Sequence, residues 1–176
     1  MPSLLIVTGP PGAGKSTVSA LLAKQFSRSV LVEGDRFFDF LEEGSIEPWL
    51  SESQHQNATV TAAAAAAAGR FAVDYDTVYD GVVGPWFLAA FAKATGLTEL
   101  DYVLLLAAVE ICVERVRSRV GHGFTNEEAA LKMHQEFATA EVDHRHVLRD
   151  STSPKSVAED ISSARLVGRF SLDIDN

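Results

Sequence analysis

Short, unbroken apolar runs punctuate the chain, and amphipathic stretches fill the intervals between them. Residues 4–7 (Leu4, Leu5, Ile6, Val7) are uniformly apolar and end at Thr8-Gly9. That is the pattern of a strand buried on both faces, as in a parallel sheet. Residues 30–32 repeat it and end in Glu33-Gly34-Asp35, residues 77–79 end in Asp80-Gly81, and residues 102–106 are as apolar as the first run. Residues 146–148 make a weak fifth strand. Helical spacing occupies 16–26, with Val18, Leu21 and Leu22 on one side, then 85–94, stopped by Gly96, and 110–119, interrupted at Gly121-His122-Gly123. A polar stretch after Pro48-Trp49 leads into a helix through about Gly69 that contains the seven alanines 62–68. Alanine has the best helix propensity and a small side chain, so this run reads as a close-packing surface. Thr125-Asn126-Glu127-Glu128 reads as a capping box, and Ser153-Pro154 as the N-cap and first-turn proline of a last helix reaching about Val167. The tail 171–176 has no strong signal. Strands alternating with helices predict a three-layer α/β fold with a five-stranded parallel sheet, in one domain over residues 1–176.

One interval departs from this rhythm. Gly9-Pro10-Pro11-Gly12-Ala13-Gly14-Lys15-Ser16 fits G-x-x-x-x-G-K-[ST] at every required position, after a predicted strand and before a predicted helix. With glycine at ~7% of residues, a chance match in such a chain is of order 1% or less. The spacing has a physical reason. Glycines let the backbone curl so that the N–H groups of the loop after Pro11, those of Gly12, Ala13 and Gly14, surround phosphate oxygens, and the following helix N-terminus favours an anion. Lys15 then reaches the outer phosphates, the Ser16 hydroxyl ligates Mg²⁺, and Thr17 stands beside it on the first helical turn. A nucleoside triphosphate, ATP or GTP, is the expected ligand.

Composition narrows the picture. Nearly half the residues are apolar, as in a folded domain, and the net charge of −9 argues against a nucleic-acid partner. The one cysteine, Cys112, forms no intrachain disulfide, which fits a cytoplasmic protein. The start of the chain does not read as a signal peptide, and no run is long and apolar enough for a membrane span.

Phosphoryl transfer also needs a carboxylate near the γ-phosphate to orient or deprotonate the attacking hydroxyl. In a parallel sheet the ligand lies beyond the C-terminal strand ends. Glu33, Asp35 and Asp80 follow apolar runs and fall at that edge, whereas Asp74, Asp76 and Asp101 precede theirs and fall at the other. The order P-loop, helix, strand, Glu33-Gly34-Asp35 resembles the small-molecule kinases of the shikimate kinase, gluconokinase and chloramphenicol phosphotransferase group. The resemblance implies that Asp35 meets the acceptor hydroxyl, that Glu33 touches Mg²⁺ through water, and that Asp80-Gly81-Val82-Val83-Gly84 lines the acceptor site. It also implies a lid over about residues 115–136, whose arginines neutralise the transferring group, and a base-binding loop around Ser151.

Arg115 and Arg119 share a helix face with no acid at pairing spacing, which costs ~0.2–0.5 kcal/mol unless an anion sits near them. Arg117 has Glu114 three residues earlier, an ordinary surface pair. Phe38, Trp49, Gln56, Asn57 and Trp86 fall where that group holds its acceptor. No arginine pair stands ready for a carboxylate, which favours a sugar, a nucleoside or a hydroxylated natural product such as an antibiotic. The expectation is therefore a Mg²⁺-dependent kinase acting on a small-molecule hydroxyl. Its rivals are a nucleotide-driven regulatory module and a toxin-like kinase of sugar nucleotides. The histidine pair His144 and His146 and the core-spaced Met133 and Phe137 read as structural. The pattern sets neither oligomeric state nor base preference.

Overall fold

The computed structural model describes residues 3–118, 126–149 and 153–174. The elements in chain order are β1 (Leu4–Thr8), α1 (Lys15–Ala23), β2 (Ser29–Glu33), α2 (Gln54–Ala72), β3 (Asp76–Asp80), α3 (Pro85–Thr95), β4 (Glu99–Leu105), α4 (Val109–Arg117), α5 (Glu127–Thr139), β5 (Val147–Leu148), α6 (Pro154–Arg165) and β6 (Ser171–Asp173). Strands β2-β3-β1-β4-β5 form a parallel sheet in that order. Every connection among these five strands is thus a helical crossover, and the chain reverses direction across the sheet at β1, where a ligand crevice opens.

Alternate residues of each central strand feed two separate cores. Leu4, Ile6, Tyr79, Tyr102 and Leu104 meet α2, α3 and Phe137, while Leu5, Val7, Val78, Val103 and Leu105 meet α1 and α6. All five residues of β1 are buried, which is why its sequence shows no alternation. The alanine run behaves as a packing surface: Ala64, Ala65 and Ala68 are fully buried. A Cβ on the neighbouring Gly69 would overlap the Thr95 carbonyl at the end of α3, so the two helices touch backbone to backbone.

Three sequence expectations shift. The sheet gains β6, an antiparallel partner for Glu99–Asp101 at the half of β4 that β5 leaves open. A three-residue strand carries no pattern of its own and forms because β4 offers an unpaired edge. The helix at 127 is capped by Asn126, whose side chain accepts from the Ala129 N–H at 3.0 Å, so the cap lies one residue later than Thr125. Residues 34–40 and 51–53 are 3₁₀ turns, and α2 begins only at Gln54. Ser153 caps α6 as expected, accepting from the Ser156 N–H at 3.1 Å, but the helix ends at Arg165.

Candidate active site

The phosphate loop leaves β1 and is seated on backbone. Gly12 has φ 83°, and a Cβ there would overlap the carbonyl of Cys112 in α4. A Cβ on Gly9 would overlap the Leu105 carbonyl at the end of β4. Either side chain would push the loop off its support. The Ala13 N–H closes the turn onto the Pro10 carbonyl at 3.2 Å. Lys15 Nζ curls back and donates to the carbonyls of Gly9 at 2.9 Å and Pro10 at 3.2 Å, which holds it over the concavity. Ser16 and Thr17 are exposed on the first turn of α1.

β3 lies between β1 and β2, so its last residue stands between the loop and the Asp35 turn. That residue, Asp80, pairs in register with Val7 on one side and Glu33 on the other. It is 7% exposed and lies beside the Ser16 hydroxyl, while its Oδ1 has no hydrogen-bond partner among the described residues. Burial raises the pKa of Asp80, the Ser16 hydroxyl and Lys15 pull it down, and the like charges of Asp35 and Glu33 push it up. An orphaned carboxylate oxygen beside a serine hydroxyl is a donor set for a hard divalent cation. No group of three His, Cys, Asp or Glu ligands comes together among the described residues. That suits Mg²⁺, which takes its remaining ligands from phosphate and water. Asp80, expected on the acceptor side, thus also lies beside Ser16 and Lys15 of the phosphate loop. Glu33, nearby, is half-exposed and paired with Arg36 at 2.6 Å.

Asp35 is exposed on the turn after β2, and Phe38 is half-buried in the same turn. The glycine segment opposite is fixed from two sides. The Val83 N–H donates to Thr8 Oγ1 at 2.8 Å, and the Tyr102 hydroxyl donates to the Val83 carbonyl at 3.0 Å. Trp86 is 47% exposed, lies across Gly84, whose Cβ would overlap its indole, and rests against Phe137 of α5 with ring centres 5.1 Å apart. Trp49 is half-buried in the loop before α2.

Gln56 and Asn57 turn toward the loop before α2. The Gln56 carboxamide accepts from the Ile46 N–H at 2.8 Å and donates to the Ile46 carbonyl at 2.6 Å. Asn57 donates to the Pro48 carbonyl at 2.7 Å. Both amides brace the 41–50 loop, and Asn57 Oδ1 is left buried without a hydrogen-bond partner among the described residues.

On the other flank Arg115 donates to the Gly12 carbonyl at 3.1 Å, which places its guanidinium at the phosphate loop. Arg117 instead forks onto Glu127 with two 3.0 Å bonds and approaches Glu114 at 3.6 Å, a surface pairing across α4 and α5. Arg119, Ser151 and the lid tip at Gly121-His122-Gly123 lie outside the described residues. A cavity runs from Gly14 and Arg115 past Leu105 and Ala107 to Arg149 and Pro154, beside the phosphates' expected position. Arg149, Thr8 and Tyr102 were not singled out by sequence. The arginine stood beside the flagged Ser151, whereas the other two act through hydrogen bonds that no local pattern announces. His146 is buried and donates from Nδ1 to the Tyr102 carbonyl at 2.9 Å, a structural role.

A phosphate loop after a central parallel strand, with carboxylates at the ends of the next two strands on one side of it, defines the P-loop kinase fold. Residues 5–133 match the family described as an AAA domain, and the chain belongs to that family. A cytidylate kinase of Sulfurisphaera tokodaii is 28% identical over 69% of this chain, and the match spans 65% of that enzyme's length, just under two thirds. The tunicamycin resistance protein of Deinococcus radiodurans superposes with TM-score 0.70 at 18% identity, covering 96% of both chains. Shikimate kinase from Acinetobacter baumannii does so with TM-score 0.61 at 20% identity, covering 96% of this chain and 94% of its own. At such identities these two structures speak for the fold. Among the described residues no helix is long and apolar enough to cross a membrane.

Proposed function

We propose that this chain is a Mg²⁺-dependent phosphotransferase that moves the γ-phosphoryl group of ATP or GTP to a hydroxyl of a small molecule. One observation carries the reading: exposed Asp35, in the turn after β2, and buried Asp80, which ends the adjacent β3 beside Lys15 and Ser16, share one edge of the sheet. A pure nucleotide switch needs no exposed carboxylate facing the γ-phosphate from the far side of the metal carboxylate. In the transfer, the acceptor oxygen bonds to the γ-phosphorus as the bond to the bridging oxygen breaks. The nucleoside diphosphate leaves with that electron pair, and the hydroxyl proton passes to Asp35. Lys15 and Arg115 neutralise charge on the transferring oxygens. Mg²⁺, when bound at Ser16 and near Asp80, supplies charge neutralisation at the bridging oxygens. Closure of the lid expected over about residues 115–136 would exclude water and favour the acceptor over hydrolysis.

The cytidylate kinase relative favours a second reading, in which the acceptor is the phosphate of a nucleoside monophosphate. The acceptor flank speaks against it. Residues 33–53 carry seven carboxylates (Glu33, Asp35, Asp39, Glu42, Glu43, Glu47, Glu52) and one cation, Arg36, which Glu33 already holds. Such a field repels an anionic acceptor, so an uncharged or amine-bearing alcohol is preferred. The test is mass spectrometry of pooled sugars, nucleosides, nucleoside monophosphates and hydroxylated antibiotics incubated with protein, Mg²⁺ and ATP or GTP, with Asp35→Asn as control. A neutral acceptor phosphorylated only by the unaltered protein supports the proposal. Phosphorylated CMP instead would select the second reading, and free phosphate alone across the pool would sink both.

A further inference from the structure

Tyr79 is the one large polar side chain at the junction of the two acidic turns, and the transfer described above does not use it. It precedes Asp80 on β3 and, because strand residues alternate, points into the opposite core, where it is 3% exposed and packs edge-on against Phe91 with ring centres 4.7 Å apart. From there the ring reaches back to the C-terminal edge of the sheet. A Cβ on Gly34 would overlap the Tyr79 hydroxyl and come 2.6 Å from Cζ, and one on Gly81 would come 2.8 Å from Cε1 and 3.0 Å from the hydroxyl. Gly34 immediately precedes Asp35, and Gly81 immediately follows Asp80. Neither has positive φ, so backbone conformation does not demand glycine at either place. The room taken by one phenol does.

We infer that Tyr79 is a positioning residue for the transfer: its ring, seated between Gly34 and Gly81, fixes the spacing of the acceptor-side and metal-side carboxylates, and its hydroxyl holds the Asp35 turn in line. This rests on the kinase reading above. Phenylalanine would fill the same space without burying a hydroxyl, and a buried hydroxyl is unfavourable unless it serves a partner. The hydroxyl lies against Gly34, the residue before Asp35, so its loss would leave a gap under the Asp35 turn.

The test is a double-mutant cycle on the acceptor that the pooled screen returns, with nucleotide affinity and melting temperature measured alongside. Tyr79→Phe is expected to lower kcat by roughly tenfold or more, with ATP affinity, acceptor KM and melting temperature nearly unchanged. In an Asp35→Asn background the same change should cost nothing further, because Tyr79 acts through Asp35. Gly34→Ala pushes a methyl into the phenol and should lose activity, and adding Tyr79→Phe should restore part of it by removing the nearest overlap. Equal loss with and without Asp35, or a loss of kcat that follows melting temperature, makes Tyr79 structural only and overturns the inference. So does full activity of Tyr79→Phe. If the unaltered protein transfers to no acceptor, the kinase reading itself falls and takes this inference with it, an outcome visible before any variant is made.

Discussion

The two sides of the site are built by different means. On the nucleotide side the phosphate loop rests on main chain: the carbonyls of Leu105 and Cys112 lie directly under Gly9 and Gly12, and Arg115 clips the Gly12 carbonyl. On the acceptor side residues 34–53 are 3₁₀ turns and loop, largely exposed, and tied to the body by side chains such as Gln56. Backbone seating fixes a site to fractions of an ångström whatever the surface residues are. Side-chain bracing lets the acceptor wall vary while the donor half stays the same, which is how one fold comes to serve many acceptors.

Changes to the two sides should therefore separate in their kinetics. The largest effect is expected for Asp35→Asn, which removes the base: kcat should fall ~10²–10⁴-fold, while nucleotide affinity, read by calorimetry, stays the same. A parallel fall in nucleotide affinity would mean that the two halves are not independent. Lys15→Ala should cost ~10²–10³-fold in kcat and, unlike Asp35→Asn, also weaken ATP binding. Arg115→Ala should lower kcat ~10-fold or more, with a smaller loss of nucleotide affinity, because its guanidinium both supports the loop and faces the transferring group.

Asp80→Asn sharpens the contrast between stability and function. The pKa of Asp80 is raised in the folded protein, chiefly by burial. Its contribution to stability is thus full below the ordinary carboxyl value and is lost as pH rises through the raised one. At neutral pH the buried charge is a cost, so the nucleotide-free Asn variant should melt higher than the unaltered protein by roughly 2–4 °C. It should also show a flatter melting profile above the ordinary carboxyl range and lose its response to Mg²⁺. A lower melting temperature at neutral pH would contradict this account of the orphaned oxygen. The smallest effect belongs to Gln56→Ala, which frees the 41–50 loop: stability should drop by about 1 kcal/mol, and acceptor KM should rise a few-fold with kcat intact.

The same division explains what the residue pattern could disclose. The phosphate loop, the parallel order and the capped ends of α3 and α6 are local, since each is written in a stretch of consecutive residues whose backbone geometry they dictate. Asp35 was legible because a strand end is local too. Asp80 was found as a strand-end acid, but its closeness to Ser16 was not legible, since that depends on how β3 lies against the loop. Gln56 and Asn57 looked like ligand groups because nothing nearby reveals that residues 46 and 48 fold back onto them. Strand β6 exists only because β4 has an open edge. Tyr79 was read as an ordinary strand residue, and its meaning appears once Gly34 and Gly81, far apart in sequence, are seen against the same ring.

The central claim is that Asp35 directs the γ-phosphoryl group to an acceptor held apart from the nucleotide machinery. The most direct measurement follows both products of one reaction, phosphorylated acceptor and free phosphate, for the unaltered protein and Asp35→Asn at saturating Mg·ATP. The account predicts that the unaltered protein makes mainly phosphorylated acceptor, and that Asp35→Asn loses that product while still binding nucleotide with unchanged affinity. Phosphorylated acceptor formed equally by both proteins, or free phosphate as the sole product of either, would contradict it.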